Sequence, residues 1–212
     1  IRPDIVTMEN VPTVTRHQVF DEFVSKLQRA GYYVWYEVID CADYGLPQRR
    51  RRTVLMASQL GQLRLRAPNR KEPRTVRDAL KRLPPIRHGG ACENDALHVA
   101  AGLSPLNFER IKASKPGGTW RDWPQRLVAD CHQKNTGKTY PGVYGRMKWD
   151  EPAPTLTTQF FGFGNGRFGH PSQARALSLR EGAILQGFPR KYAFVPRGKP
   201  VHFTVLGRLI GN

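Results

Sequence analysis

Two short stretches hold the side chains best suited to chemistry. The first is Glu9-Asn10-Val11, which follows the apolar residues 5–8. A carboxyl at the C-terminal end of a strand in an α/β sheet sits where such sheets bind ligands, and there it can give or take a proton. A glutamate ending a strand is also ordinary surface chemistry. The second stretch is Gln48-Arg49-Arg50-Arg51-Arg52, after Tyr-Gly-Leu-Pro and just before the apolar run 53–57. With Arg52 leading into a strand, the pleat sends Arg50 and Arg52 to one side and Arg49 and Arg51 to the other. Two guanidinium groups at the edge of a crevice suit phosphate oxygens or a base carbonyl. The same run also reads as a solvated basic turn.

Other patterns carry less. Gly164, Gly166 and Gly169 satisfy a G-x-G-x-x-G spacing, but no strand-to-helix turn surrounds them and no acidic residue follows about 20 positions on. Gly137-Lys138-Thr139 imitates the end of a phosphate-binding loop, yet His132 stands where its first glycine belongs. Cys131-His132 is at most half of a metal site, since Cys41 and Cys92 are not at ligand spacing. No metal is expected.

The elements that must position the two stretches follow from periodicity. Residues 5–8 read as a buried strand running into Glu9. Residues 15–30 place Val19, Phe20, Phe23, Val24 and Leu27 on one helical face, and Gly31 closes the helix. Residues 32–40 (YYVWYEVID) and 53–57 (TVLMA) are strand-like. Strand, helix, strand, loop, strand is the rhythm of an α/β sheet over residues 1–58. Residues 59–172 are rich in Arg, Pro and Gly, with short helices expected at 76–83 and 103–113, a loop at 115–123 and an extended stretch at 152–163. Residues 173–212 turn helical again at 177–186, with Ser178 as N-cap and Glu181 three residues on.

Charge sets the class of partner. Of 212 residues, 34 are Lys or Arg and 17 are Asp or Glu, a net charge of +17 and a pI near 10.4. Such a field attracts polyanions, nucleic acid first, with an acidic protein or an anionic membrane surface as alternatives. A hydrophobic content of 39% supports a packed core. The odd, scattered cysteines point to free thiols in a reducing compartment. No apolar run approaches membrane-spanning length, so a cytoplasmic protein acting at the bacterial nucleoid, with no membrane contact, is expected.

Taken in order, the segments resemble the DNA cytosine-5 methyltransferase family. Glu9-Asn10-Val11 looks like the family's ENV motif, and Gln48, Arg50 and Arg52 fit its QxRxR motif. The segment from Arg146 through Thr157 resembles the one that supports the target-recognition domain. The last forty residues, ending Ile210-Gly211-Asn212, resemble the final motif, whose helix packs on the catalytic domain and whose asparagine, here Asn212, contributes to the cofactor pocket.

The resemblance implies part of a Rossmann-like methyltransferase sheet (1–58), a smaller irregular, β-containing target-recognition domain (59–172), and a returning helix and tail (173–212). It implies S-adenosylmethionine as methyl donor and a flipped cytosine in double-stranded DNA as acceptor, in the setting of restriction and modification. Glu9 would share a proton with the base, its burial favouring the protonated form, and Asn10 would hold its loop. Arg52 would meet the base carbonyl and orient Glu9, with Arg50 on phosphate or on the nucleophile's loop. Gln48 and Arg146 would join the DNA contacts. The stretch 115–123 offers Trp120 and Arg121 to DNA, while Trp120 and Trp123 read equally as core.

The family's Phe-Gly-rich cofactor loop and its Pro-Cys nucleophile are not among these residues: Cys41 follows Asp40, Cys92 follows Ala91 and Cys131 follows Asp130. A C-terminal portion, inactive without a complementing N-terminal portion or subunit, is therefore expected. A DNA-binding subunit without catalysis and a tRNA cytosine-5 methyltransferase are the alternatives.

Overall fold

The computed structural model describes residues 2–68, 72–196 and 198–212. The chain divides into two compact units, Ile1–Gly45 with Arg49–Pro73, and Leu46–Gln48 with Arg74–Asn212.

The first unit is a three-stranded sheet with a helix on one face. Strand β1 (Ile5–Asn10) passes through a 3-10 turn (Pro12–Arg16) into helix α1 (Gln18–Arg29), then come β2 (Tyr33–Asp40) and β3 (Arg51–Ser58). The order is β1-β3-β2, and β3 runs antiparallel to both neighbours. Strands β1 and β2 therefore run the same way, with α1 as their crossover and β3 inserted between them. Apolar residues at alternate strand positions meet the helix: Leu55 and Ala57 pack with Phe20 and Tyr32, joined by Val6, Met8, Val34, Phe23, Val24 and Leu27. Gly31 adopts φ +87 to end α1, a conformation in which a side chain would be strained.

Two expectations are corrected here. β1 is an edge strand covered on one face only, so it is half-exposed rather than buried, with Ile5 46% exposed. Val19 is 67% exposed, because the inward face of α1 centres on Phe20 and its neighbour lies about 100° round the axis.

The second unit contains little sheet and much irregular chain. Helix α2 (Val76–Leu80) is capped by Thr75 with Asp78 in a reciprocal box. It stops short of the expected 83, ahead of Pro84-Pro85, which disfavour helix in the residue before them. A two-stranded ribbon, β4 (Ala91–Cys92) and β5 (Asp95–Val99), precedes α3 (Pro105–Ala113). Ser104 caps α3 and Pro105 opens it, where a missing N–H does no harm. Short 3-10 turns at Trp120–Asp122 and Gln125–Leu127 lead to α4 (Asp130–Gln133). Helix α5 (Leu179–Leu185) follows its expected cap, with Ser178 and Glu181 each bonding the other's backbone N–H. Helix α6 (Phe203–Gly211) closes the described chain.

One core gathers Met147, Leu156, Phe160, Leu177 and Leu185 around α5 and takes in Leu206 and Ile210 of α6. A second gathers Ile111, Trp120, Trp123, Leu127 and Phe163. Residues on either side of 172 thus share one core. Glycine lets α6 approach closely: a Cβ at Gly211 would lie 2.4 Å from the Thr157 carbonyl oxygen, and one at Gly207 2.5 Å from that of Thr158.

Candidate active site

The end of the first sheet brings the expected catalytic residues together. In the β1–β3 register Glu9 faces Val54, so Glu9 and Arg52 lie diagonally on the same face. Arg52 Nε is 2.6 Å from Glu9 Oε1. The Arg52 side chain is 14% exposed and that of Glu9 57%, so the expected burial of Glu9 is not found; its carboxyl is solvent-facing and ion-paired. Asn10 turns its Oδ1 to accept the N–H of Val11 at 2.8 Å, fixing the exit from β1. The alternation expected of the arginine run is present: Arg49 and Arg51 are exposed, Arg50 and Arg52 half-buried.

Asp40, which the sequence did not single out, shapes this end of the sheet. Its Oδ1 accepts from the backbone N–H groups of Ala42 and Arg50, and its Oδ2 lies 3.5 Å from Arg49 Nη1. Cys41 sits beside this turn, its N–H donating to the Arg50 carbonyl. Burial pushes its thiol up, outweighing the nearby Arg50 and Arg52 guanidinium groups. Burial and the like charge of Arg52 pull Arg50 below the ordinary arginine value, partly offset by Glu9. Beside the turn held by Asp40, the half-buried Arg50 and Arg52 guanidinium groups, the Glu9 carboxylate and a protonated thiol are gathered. Such a set can accept an anionic or carbonyl oxygen and hold a hydrogen bond at a heterocyclic nitrogen.

The other expected contacts lie in the second unit, and most are turned inward. Gln48 is 0% exposed; its Nε2 donates to the Leu185 carbonyl (3.1 Å) and to Gln186 Oε1 (2.9 Å), and its Oε1 accepts from Leu156 N–H (2.9 Å). Donors and acceptor are all engaged, so this amide ties chain to chain and is not presented to DNA. Arg146 is likewise buried, donating to the carbonyls of His170, Ser114 and Gln173, and burial lowers its pKa. Trp120 is a core residue whose indole N–H donates to the Tyr140 carbonyl. Arg121 is exposed and lies over the Trp120 ring. Asn212 is exposed at the end of α6 and lines none of the clefts formed around Phe108, Trp149, Trp123 or Phe194.

A buried charged group escaped the sequence reading. Arg175, 0% exposed, meets Glu181 through two bonds of 2.7 Å. His170 Nε2 lies 3.7 Å from the same carboxylate. The Arg175 guanidinium, opposing burial, holds the Glu181 carboxyl below the usual carboxylate range. Glu181 was legible as a capping residue, but nothing local marks its partners.

Comparisons with known proteins bear on the family and the fold. A family model described as C-5 cytosine-specific DNA methylase matches residues 1–212. The type II methylase M.HgiDII of Herpetosiphon aurantiacus is 50% identical over 217 residues, covering 100% of this chain and 61% of that protein. The type II methyltransferase M1.BsuMI of Bacillus subtilis is 30% identical over 214 residues, covering 99% of this chain and 48% of that protein. This chain therefore spans between about half and three-fifths of the length of these relatives. Among solved structures, a DNA modification methyltransferase encoded within an E. coli prophage superposes with a TM-score of 0.62 at 20% identity, over 91% of this chain and 61% of that one. The Dnmt2 methyltransferase of S. pombe gives 0.58 at 16% identity, over 99% and 61%. These likenesses bear on fold: mixed α/β, as in methyltransferases. Among the described residues no helix is long and apolar enough to cross a membrane. Matched along its whole length by one family model and half identical to one of the methylases, the chain belongs to the C-5 cytosine-specific DNA methylase family.

Proposed function

We propose that this chain is the C-terminal part of an enzyme that methylates C5 of a flipped cytosine within a specific sequence of double-stranded DNA. The observation that carries the reading is the 2.6 Å pair of Arg52 and Glu9 at the end of the β1–β3 ladder. Attack of a thiolate on C6 of the base drives negative charge toward N3, and a carboxyl sharing a proton there lowers the barrier. Glu9 is solvent-facing enough to meet that nitrogen, with Arg52 fixing its orientation and able to reach the base carbonyl. Arg50, on the same side of the run, takes a neighbouring phosphate. The field of a chain with net charge +17 draws in the duplex.

The nucleophile in this reading is a cysteine outside these 212 residues. No cysteine here follows a proline, and the one beside Glu9 and Arg52, Cys41, is held as a thiol by burial. S-adenosylmethionine is the methyl donor that the family implies. One exposed side chain at a helix end, Asn212, makes no cradle for it, so residues outside this chain are assigned its binding.

The test is methyl transfer to plasmid DNA by the full-length protein, followed by mapping of 5-methylcytosine. Modification confined to one short sequence supports the reading. DNA bound but never methylated favours a specificity subunit without catalysis, and methylation of tRNA in preference to duplex DNA favours an RNA enzyme.

A further inference from the structure

The run that carries Arg50 and Arg52 has no tight turn to set it. Strand β2 ends at Asp40 and β3 begins at Arg51. The connection between them, residues 41–50, passes through Leu46–Gln48, which count with the second unit. A hairpin fixes the register of its strands through the geometry of a short turn. This connection is too long for that, so the open end of the ladder needs another tie.

A side chain provides it. The Cys41 N–H donates to the Arg50 carbonyl at 3.0 Å. A regular antiparallel pair would return the Arg50 N–H to the Cys41 carbonyl. That carbonyl instead accepts from the Tyr44 N–H at 3.2 Å, within the turn. Asp40 Oδ1 takes its place, accepting from the Arg50 N–H at 3.0 Å and from the Ala42 N–H at 3.1 Å. Both main-chain groups of Arg50 are thereby held. Asp40 shares a face with Arg51, its partner in the register, and so leaves the face of Arg52 open. Its side chain is 18% exposed, so water competes little for these bonds.

We infer that Asp40 is a positioning residue for methyl transfer, aiming the Arg50 side chain through its main chain. This rests on the DNA-methylating function proposed above. Arg52 is placed by its ion pair with Glu9. Arg50 feels the Glu9 charge but makes no ion pair among the described residues, so its half-buried guanidinium depends on its own backbone for direction. An arginine on a loose connection has to be ordered again at each turnover, and a misplacement of about 1 Å costs up to about 10²-fold. The second Asp40 oxygen lies 3.5 Å from Arg49, whose side chain is 63% exposed, and such exposed pairs contribute little. Acceptance of the two N–H groups, not charge, is therefore what Asp40 supplies, and an asparagine can supply it as well.

The experiment compares full-length wild type, Asp40→Ala, Asp40→Asn, Arg50→Met and the double variant Asp40→Ala with Arg50→Met. Methyl transfer to duplex DNA and the salt dependence of duplex binding are measured per folded molecule. Asp40→Ala should lower kcat/KM about tenfold or more. Asp40→Asn, which keeps the acceptor, should recover most of that loss. In the Arg50→Met background Asp40→Ala should cost little further, because the group it aims is gone. Additive losses would make Asp40 merely structural and overturn the inference. An Asp40→Asn variant as impaired as Asp40→Ala would give the effect to charge and overturn it too. A wild type that binds duplex but transfers no methyl group removes the functional reading, and the salt dependence then decides on Asp40 alone. Arg50→Met and Asp40→Ala should each lower the salt slope by about one, and Asp40→Asn should leave it as it is. A slope unchanged in Asp40→Ala overturns the positioning role.

Discussion

Arg52 of β3 reaches across the sheet to Glu9 of β1 and holds one of its carboxyl oxygens at 2.6 Å, on the face opposite to α1. Neither side chain packs in the core beneath the helix. In the full-length enzyme Glu9→Gln keeps the shape and removes the charge. Turnover should fall by roughly 10²- to 10⁴-fold, the range of a lost general acid or base. Duplex affinity, measured by fluorescence anisotropy, should change little. Equal losses in turnover and binding would assign Glu9 to DNA contact instead.

Gln48 was expected at DNA and is found inside the second unit. Gln48→Ala leaves Leu156 N–H and the Leu185 carbonyl without their partner. Each unsatisfied buried group costs about 1–3 kcal/mol, so urea denaturation should show a loss of about 2 kcal/mol or more. Sequence preference should be intact wherever the protein remains folded. A relaxed preference at unchanged stability would contradict the buried role.

Arg175→Met strands the Glu181 carboxylate, which is 1% exposed. Removing one partner of a buried ion pair typically costs about 3–5 kcal/mol. Adding Glu181→Gln should recover part of that loss, giving a favourable coupling in a double-mutant cycle by chemical denaturation. Additive losses would mean that the two groups do not act as a pair.

His170 adds a pH dependence whose sign follows from its surroundings. Its Nδ1 accepts the N–H groups of Ser172 and Gln173, which leaves the ring proton on Nε2, toward Glu181. Burial pulls the ring from 6.5 down to about 4. Between these values the unfolded chain binds more protons than the folded one, so stability falls as pH falls. The contribution is whole above the unfolded value and gone by about pH 4, on the order of 3 kcal/mol. Denaturation at pH 7.5 and 4.5 should show most of this difference. His170→Asn, whose Oδ1 can take over the two amide bonds, should flatten the profile in that window. A profile as steep as the wild type's would contradict the assignment.

What the sequence revealed follows the range of the interactions involved. The Ser178–Glu181 cap spans three residues, and the alternation of Arg49 to Arg52 needs only the pleat, so both were readable. The partners of Gln48 lie as far as 138 residues away, and polar residue types read as surface unless those partners are known. Arg146 failed for the same reason, its guanidinium turned to carbonyls 24 to 32 residues distant. The burial of Glu9 was misjudged because an apolar strand looks the same whether one face or both are covered. Trp120 and Trp123 were readable as core from residue type.

The central claim is that Glu9 and Arg52 await a thiol from outside these residues. Covalent trapping on duplex DNA containing 5-fluorocytosine, with S-adenosylmethionine present, tests it most directly. The 212-residue chain alone should form no adduct, and a protein carrying the family's Pro-Cys segment and cofactor loop together with this chain should form one. An adduct on this chain alone would make Cys41, Cys92 or Cys131 the nucleophile and contradict the account.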